Sequence, residues 1–162
     1  MRPKMLKKIM IGLLSLFVII QFIRPDKNSN NESQPNDIAV SFAVPNDVQV
    51  VLRKACYDCH SNSTNYPWYA FVQPIYWWLN NHIEEGKKEL NFSEFGTYTL
   101  RRKLKKFNEI SGEVTEAEMP LESYTWMHKE AKLTREESIL IVNWANLMAN
   151  KMEQDSMKTK IL

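Results

Sequence analysis

Glycine is scarce here, four residues in a chain of 162, and that leaves no Gly-rich loop to cradle a phosphate. Neither H-E-x-x-H nor G-x-S-x-G occurs, so the zinc-peptidase and serine-hydrolase patterns have no support. Cysteine is scarcer still. Cys56 and Cys59 are the only two, whereas a structural zinc site normally takes four ligands, often from two C-x-x-C halves. A strong charge of either sign is also missing: the formal net charge is +2, and Arg2, Lys4, Lys7 and Lys8 account for four positives, which leaves residues 9–162 at −2. A nearly neutral body of this kind carries no nucleic-acid signature.

What the chain does have is Cys56-Tyr57-Asp58-Cys59-His60. This C-x-x-C-H run reads as an attachment site for c-type haem. Two thiols one turn apart can each form a thioether at a haem vinyl group, and the adjacent His60 is then held under the porphyrin as an axial iron ligand. A thioredoxin-like pair would follow a strand in a βαβ unit, but the residues before Cys56 have a helical pattern. A plain disulfide leaves His60 unexplained and is the fallback without haem.

Residues 1–8 are basic, and Ile9 to Ile23 form an apolar run broken only by Gly12, Ser15 and Gln21 before Arg24-Pro25. Such a segment directs export, with its positive flank left on the cytoplasmic side. No small-residue cleavage site follows it, which favours an uncleaved signal anchor over 1–24 rather than a removed signal peptide. Residues 25–41 are polar and poor in apolar side chains, as in a flexible linker. The folded domain is expected over 42–150, and a polar, fraying tail over 151–162.

Within the domain the periodicity is helical. Val48, Val51, Leu52 and Ala55 share one face of a helix that runs into the haem motif. Pro74 and Gly86 bracket a second helix, with Ile75, Trp78, Leu79, His82 and Ile83 on one face and Gly86 as its stop. A third begins near Thr97, its stripe marked by Leu100, Leu104, Phe107, Ile110 and Val114, and the basic run Arg101 to Lys106 reads as its solvated face. Thr134 to Glu137 form a capping box for the last helix, whose Ile141, Trp144, Ala145 and Met148 should pack on the first.

Two further groups bear on chemistry. Residues 66–78 concentrate aromatics, and the polar ends of Tyr66 and Trp68 are candidate donors to haem propionates. Met119, followed by Pro120, is the candidate distal ligand, since a thioether is a soft neutral ligand for haem iron. His82, Met127 and His128 remain alternatives to it.

The order of these elements carries a likeness. The basic-apolar N-terminus, Cys56 to His60, Tyr66-Pro67-Trp68-Tyr69, Asn91-Phe92-Ser93, Glu118-Met119-Pro120-Leu121, Ser123-Tyr124-Thr125-Trp126 and Asn143-Trp144-Ala145 together resemble the bacterial haem-binding domain family of single-haem c-type cytochromes. The likeness covers residues 42–150. It implies an all-α, cytochrome c-like fold around one covalent haem c, with His60 proximal and Met119 at the distal position. The expectation is a membrane-anchored periplasmic electron carrier with redox partner proteins and no nucleic acid. Two other classes stay open, a haem-based sensor or small-ligand binder and a peroxidase-like haem enzyme with an open distal side.

Overall fold

Val48, Val51, Leu52 and Ala55 are all buried, so the first predicted stripe is a packing face. The computed structural model describes residues 3–30, 32–42 and 44–161, and among them every regular element is helical. In chain order these are α1 (Pro3–Ile20), α2 (Ile38–Ser41), α3 (Asn46–Ala55), α4 (Tyr57–His60), α5 (Ile75–Glu89), α6 (Leu100–Thr115), α7 (Glu122–Met127) and α8 (Arg135–Ile161). Turns of 3-10 helix lie over Trp68–Phe71, Phe92–Thr97 and Lys129–Ala131.

The core joins α3 to the long pair α6 and α8. Phe107, Ile110 and Val114 of α6 meet Ile141, Trp144 and Ala145 of α8, with the Phe107 ring edge-on to Trp144 at 5.5 Å. The α8 cap forms as a reciprocal box, Thr134 N–H donating to Glu137 at 2.9 Å and Glu137 N–H to Thr134 Oγ1 at 3.2 Å. Lys54 of α3 pairs with the same Glu137, tying α3 to the start of α8. The tail expected to fray continues α8 through Ile161, in keeping with its Lys, Glu, Gln and Met content and its lack of Gly and Pro.

Three other expectations are corrected. Gly86 does not end α5, which runs on to Glu89, and the buried face of α5 is Tyr76, Leu79, Asn80 and Ile83. Ile75 and Trp78 face solvent instead, 40 % and 47 % exposed. No helix among the described residues is long and apolar enough to cross a membrane, so the predicted anchor is not supported as a span. The reason lies in α1: Lys4, Lys7 and Lys8 occupy its first half, and the apolar stretch from Ile9 to Ile20 is about 18 Å long against about 30 Å of bilayer hydrocarbon.

The stretch read as a flexible linker is hydrogen-bonded to the domain. Asn28 N–H donates to the Tyr66 hydroxyl at 2.8 Å, Gly96 N–H donates to Asn36 O at 2.8 Å, and Tyr57 OH donates to Asp37 at 2.9 Å. Ile38 is fully buried in the core, so packing begins ahead of residue 42.

A cavity built around the haem motif

The C-x-x-C-H run folds as a single helical turn. Cys56 closes α3 and opens α4, and its carbonyl accepts from Cys59 N–H at 3.2 Å and His60 N–H at 3.0 Å. Residues three and four apart on a turn share a side, which groups Cys56, Cys59 and His60. The two intervening residues hold the turn from its other flanks. Tyr57 stacks on Phe92 at 5.0 Å, and Asp58 accepts hydrogen bonds from Tyr124 OH at 2.8 Å and Asn65 N–H at 3.1 Å.

The His60 imidazole is oriented by main chain. Its Nδ1 lies 2.9 Å from Gly86 O and 3.0 Å from Leu90 O. Carbonyls only accept, so Nδ1 carries the proton and Nε2 keeps its lone pair for a metal. Burial lowers the His60 pKa below its ordinary value against the raising effect of those two bonds, and the Lys106 charge adds to the lowering. The ring is therefore neutral at pH 7, the form that binds iron. Gly86 makes this approach possible: a Cβ there would stand 2.9 Å from Cys59 O.

Two adjoining cavities, about 400 and 290 Å³, open around this turn, and Cys56, His60, Met119 and Pro120 line both. The larger has chiefly aliphatic walls, including Leu52, Ile110, Val114 and Ile141. Cys59, His82 and Tyr124 line the smaller. Cys56 and Cys59 are free thiols, and burial pushes their pKa values up to about 12 and about 11, so both are protonated at neutral pH.

Met119 reaches the cavities by a turn that the sequence reading missed. α6 ends at Thr115, where Ala117 adopts φ 58 and Glu118 N–H bonds back to Glu113 O at 3.0 Å, the pattern of a Schellman stop with alanine in the glycine place. Pro120 follows this stop rather than causing it. Lys106 was also missed. It was read into a solvated face but is buried on the larger cavity wall, its Nζ 2.6 Å from Glu109 and 3.4 Å from Glu89. Its burial places it on the same side of α6 as Ile110, one turn on, a position that a uniformly basic run does not reveal.

The remaining candidates lie elsewhere. Tyr66 bonds Asn28 and packs on Tyr76, and Trp68 is 79 % exposed; neither lines the two cavities. His128 bonds Tyr69 OH at 2.7 Å beneath the Tyr124 ring, and Met127 is exposed. Among the distal alternatives, only His82 shares a cavity wall with Met119, and its Nδ1 is taken by Trp78 O at 2.8 Å.

A family model described as a haem-binding domain matches residues 15–147. The chain belongs to the haem-binding domain family. No curated protein and no solved structure matches it. Membership supports a haem cofactor, and the donor set fits one: a neutral imidazole with a free Nε2, two thiols and a thioether border one largely apolar space. The match begins at residue 15, inside α1, so the family domain includes the segment that leads into the linker.

Proposed function

We propose that this haem-binding domain is a c-type cytochrome module that carries single electrons on the outer side of a bacterial membrane. The observation that carries the reading is the His60 Nδ1, fixed by Gly86 O and Leu90 O beside two thiols and Met119. Cys56 and Cys59 would form the two thioethers, and His60 Nε2 and Met119 Sδ would hold the iron. Bound there, a haem supplies a one-electron iron couple, whose potential a methionine ligand raises. The chain's own part is to hold the ligands and to exclude water with aliphatic walls.

An iron held by both His60 and Met119 would have no site left for a substrate, which favours electron transfer over catalysis. His82 on the shared cavity wall favours one second reading, an exchangeable distal position able to bind a small gaseous ligand. The basic and apolar N-terminus supports export, which attachment of haem c outside the bacterial cytoplasm would require.

The test is retention of haem by the denatured chain after acid extraction, with the protein made in a host able to attach haem c. Retention that is lost in Cys56→Ser/Cys59→Ser supports the reading. Complete extraction from the unaltered chain contradicts it.

A further inference from the structure

The end of α1 is clasped to the first turn of α5. Gln73 N–H donates to Gln21 Oε1 at 2.9 Å and Gln21 Nε2 donates to Gln73 O at 3.3 Å. Ile23 O then accepts from Gln73 Nε2 at 2.8 Å and from Trp77 Nε1 at 2.9 Å, and Pro25 O accepts from Tyr76 OH at 3.0 Å. These bonds pair the Gln21 and Gln73 side chains, the Trp77 indole N–H and the Tyr76 hydroxyl. Around them are left apolar side chains turned to solvent: Phe22 at 83 % exposure, Ile23 at 58 %, Ile75 at 40 % and Trp78 at 47 %, with Val72 beside them.

None of α1 is buried, so this patch continues an apolar helix that is itself uncovered. The surroundings are net cationic, with Asp26 between Arg24 and Lys27 at the clasp. Residues 1–25 contain Arg2, Lys4, Lys7, Lys8 and Arg24 and no acidic residue, Asp26 being the first. Arg24 and Lys27 flank the clasp, Arg24 Nε bonded to Gln21 O at 3.0 Å and Lys27 Nζ 4.6 Å from the Phe71 ring centre. Apolar side chains with an indole among them, edged by Arg and Lys, match the interface of an anionic bilayer.

We infer that the domain does not swing on its N-terminal segment but rests on an anionic lipid surface through Phe22, Ile23, Ile75 and Trp78, with the Gln21–Gln73 clasp fixing its orientation. α1 does not need to span for this. Its apolar length buries in the lipid interface while the clasp brings α5 down beside it. The consequence for function is that the cavity keeps one fixed attitude to the membrane, so a redox partner meets it from one side. The inference concerns lipid contact and stands or falls separately from haem attachment.

All five tryptophans, Trp68, Trp77, Trp78, Trp126 and Trp144, follow residue 67, so quenching by lipid reports contact of the domain and not of α1. The experiment uses the full chain on phosphatidylglycerol/phosphatidylcholine vesicles with brominated acyl chains, each emission divided by that on unbrominated vesicles. The ratio is read on the haem-free and the haem-loaded chain separately, because energy transfer to haem shortens the emission lifetime and reduces the fractional loss that bromine can cause. Expected are a clear loss of emission, recovery of most of that loss in Trp78→Phe, and little change in Trp126→Phe. Vesicles of phosphatidylcholine alone should quench less. A chain that floats with vesicles but is not quenched overturns the inference, as does quenching that Trp78→Phe leaves intact. Equal quenching on neutral vesicles overturns the anionic assignment, and lipid-free self-association that depends on Trp78 gives the patch to a second copy instead.

Discussion

The His60 Nδ1 sits 2.9 Å from the carbonyl oxygen of Gly86, and the same glycine leaves no room for a Cβ against Cys59. One residue thus sets both the tilt of the imidazole and the distance between α5 and the haem motif. Gly86→Ala must push apart two backbones rather than a flexible side chain, at a cost of about 1–3 kcal/mol. Denaturant unfolding should show this loss together with reduced haem attachment. Stability and attachment equal to the parent would show that the close approach is unimportant.

Two opposite exchanges on α6 are both expected to stabilise. Gly112 lies inside the helix with nothing within 4 Å of a would-be Cβ, so Gly112→Ala should gain about 0.5–1 kcal/mol. Ala117 has φ 58, a conformation that costs a non-glycine residue about 1–2 kcal/mol, and glycine returns part of that gain as unfolded-state entropy, for a net of about 0.5–1 kcal/mol. Thermal unfolding of the two single variants checks both signs.

Lys106 and its partners should respond unequally. Its ammonium is buried, whereas Glu89 and Glu109 reach water, their side chains 75 % and 37 % exposed. Lys106→Met therefore strands no buried charge and should change stability by less than about 1 kcal/mol. Glu109→Gln removes the nearest carboxylate from a buried cation and should cost about 1–3 kcal/mol. The reverse order of effects in urea melts would contradict this.

The thiols carry a pH signature in the haem-free chain. Burial raises their pKa values from 9.0 to about 11 at Cys59 and about 12 at Cys56. At pH 8 the reactive thiolate is scarcer by roughly 100-fold and 1000-fold, because each pKa unit is a factor of ten. Alkylation followed by mass spectrometry should find Cys59 modified before Cys56, with both far slower than in urea. Equal rates in the folded and unfolded chains would contradict the burial.

How much of this was legible in the sequence depends on the range of the contacts involved. The α3 stripe, the Thr134–Glu137 box and the α6 stripe are local patterns, and the haem motif announces its own turn. The face of α5 was misread because Gln73, Tyr76 and Trp77 are claimed by residues 21–25, about fifty positions away, which periodicity does not register. Gly86 reads as a stop in the sequence because its real constraint, the Cys59 backbone, also lies far off along the chain. Lys106 shows the same limit: a cation within a basic run looks solvated until its neighbours on another helix are known. The reading of Tyr66 and Trp68 rests on composition, and an aromatic cluster does not say which surface it covers.

The most direct test of the account is an absorption spectrum of the haem-loaded chain in oxidised, reduced and carbon-monoxide-treated forms, recorded with and without Met119→Ala. The account predicts covalent haem with a ferric methionine-to-iron charge-transfer band, no response to carbon monoxide, and loss of that band with gain of carbon monoxide binding in Met119→Ala. A band that survives Met119→Ala, or ready carbon monoxide binding by the unaltered chain, would contradict it.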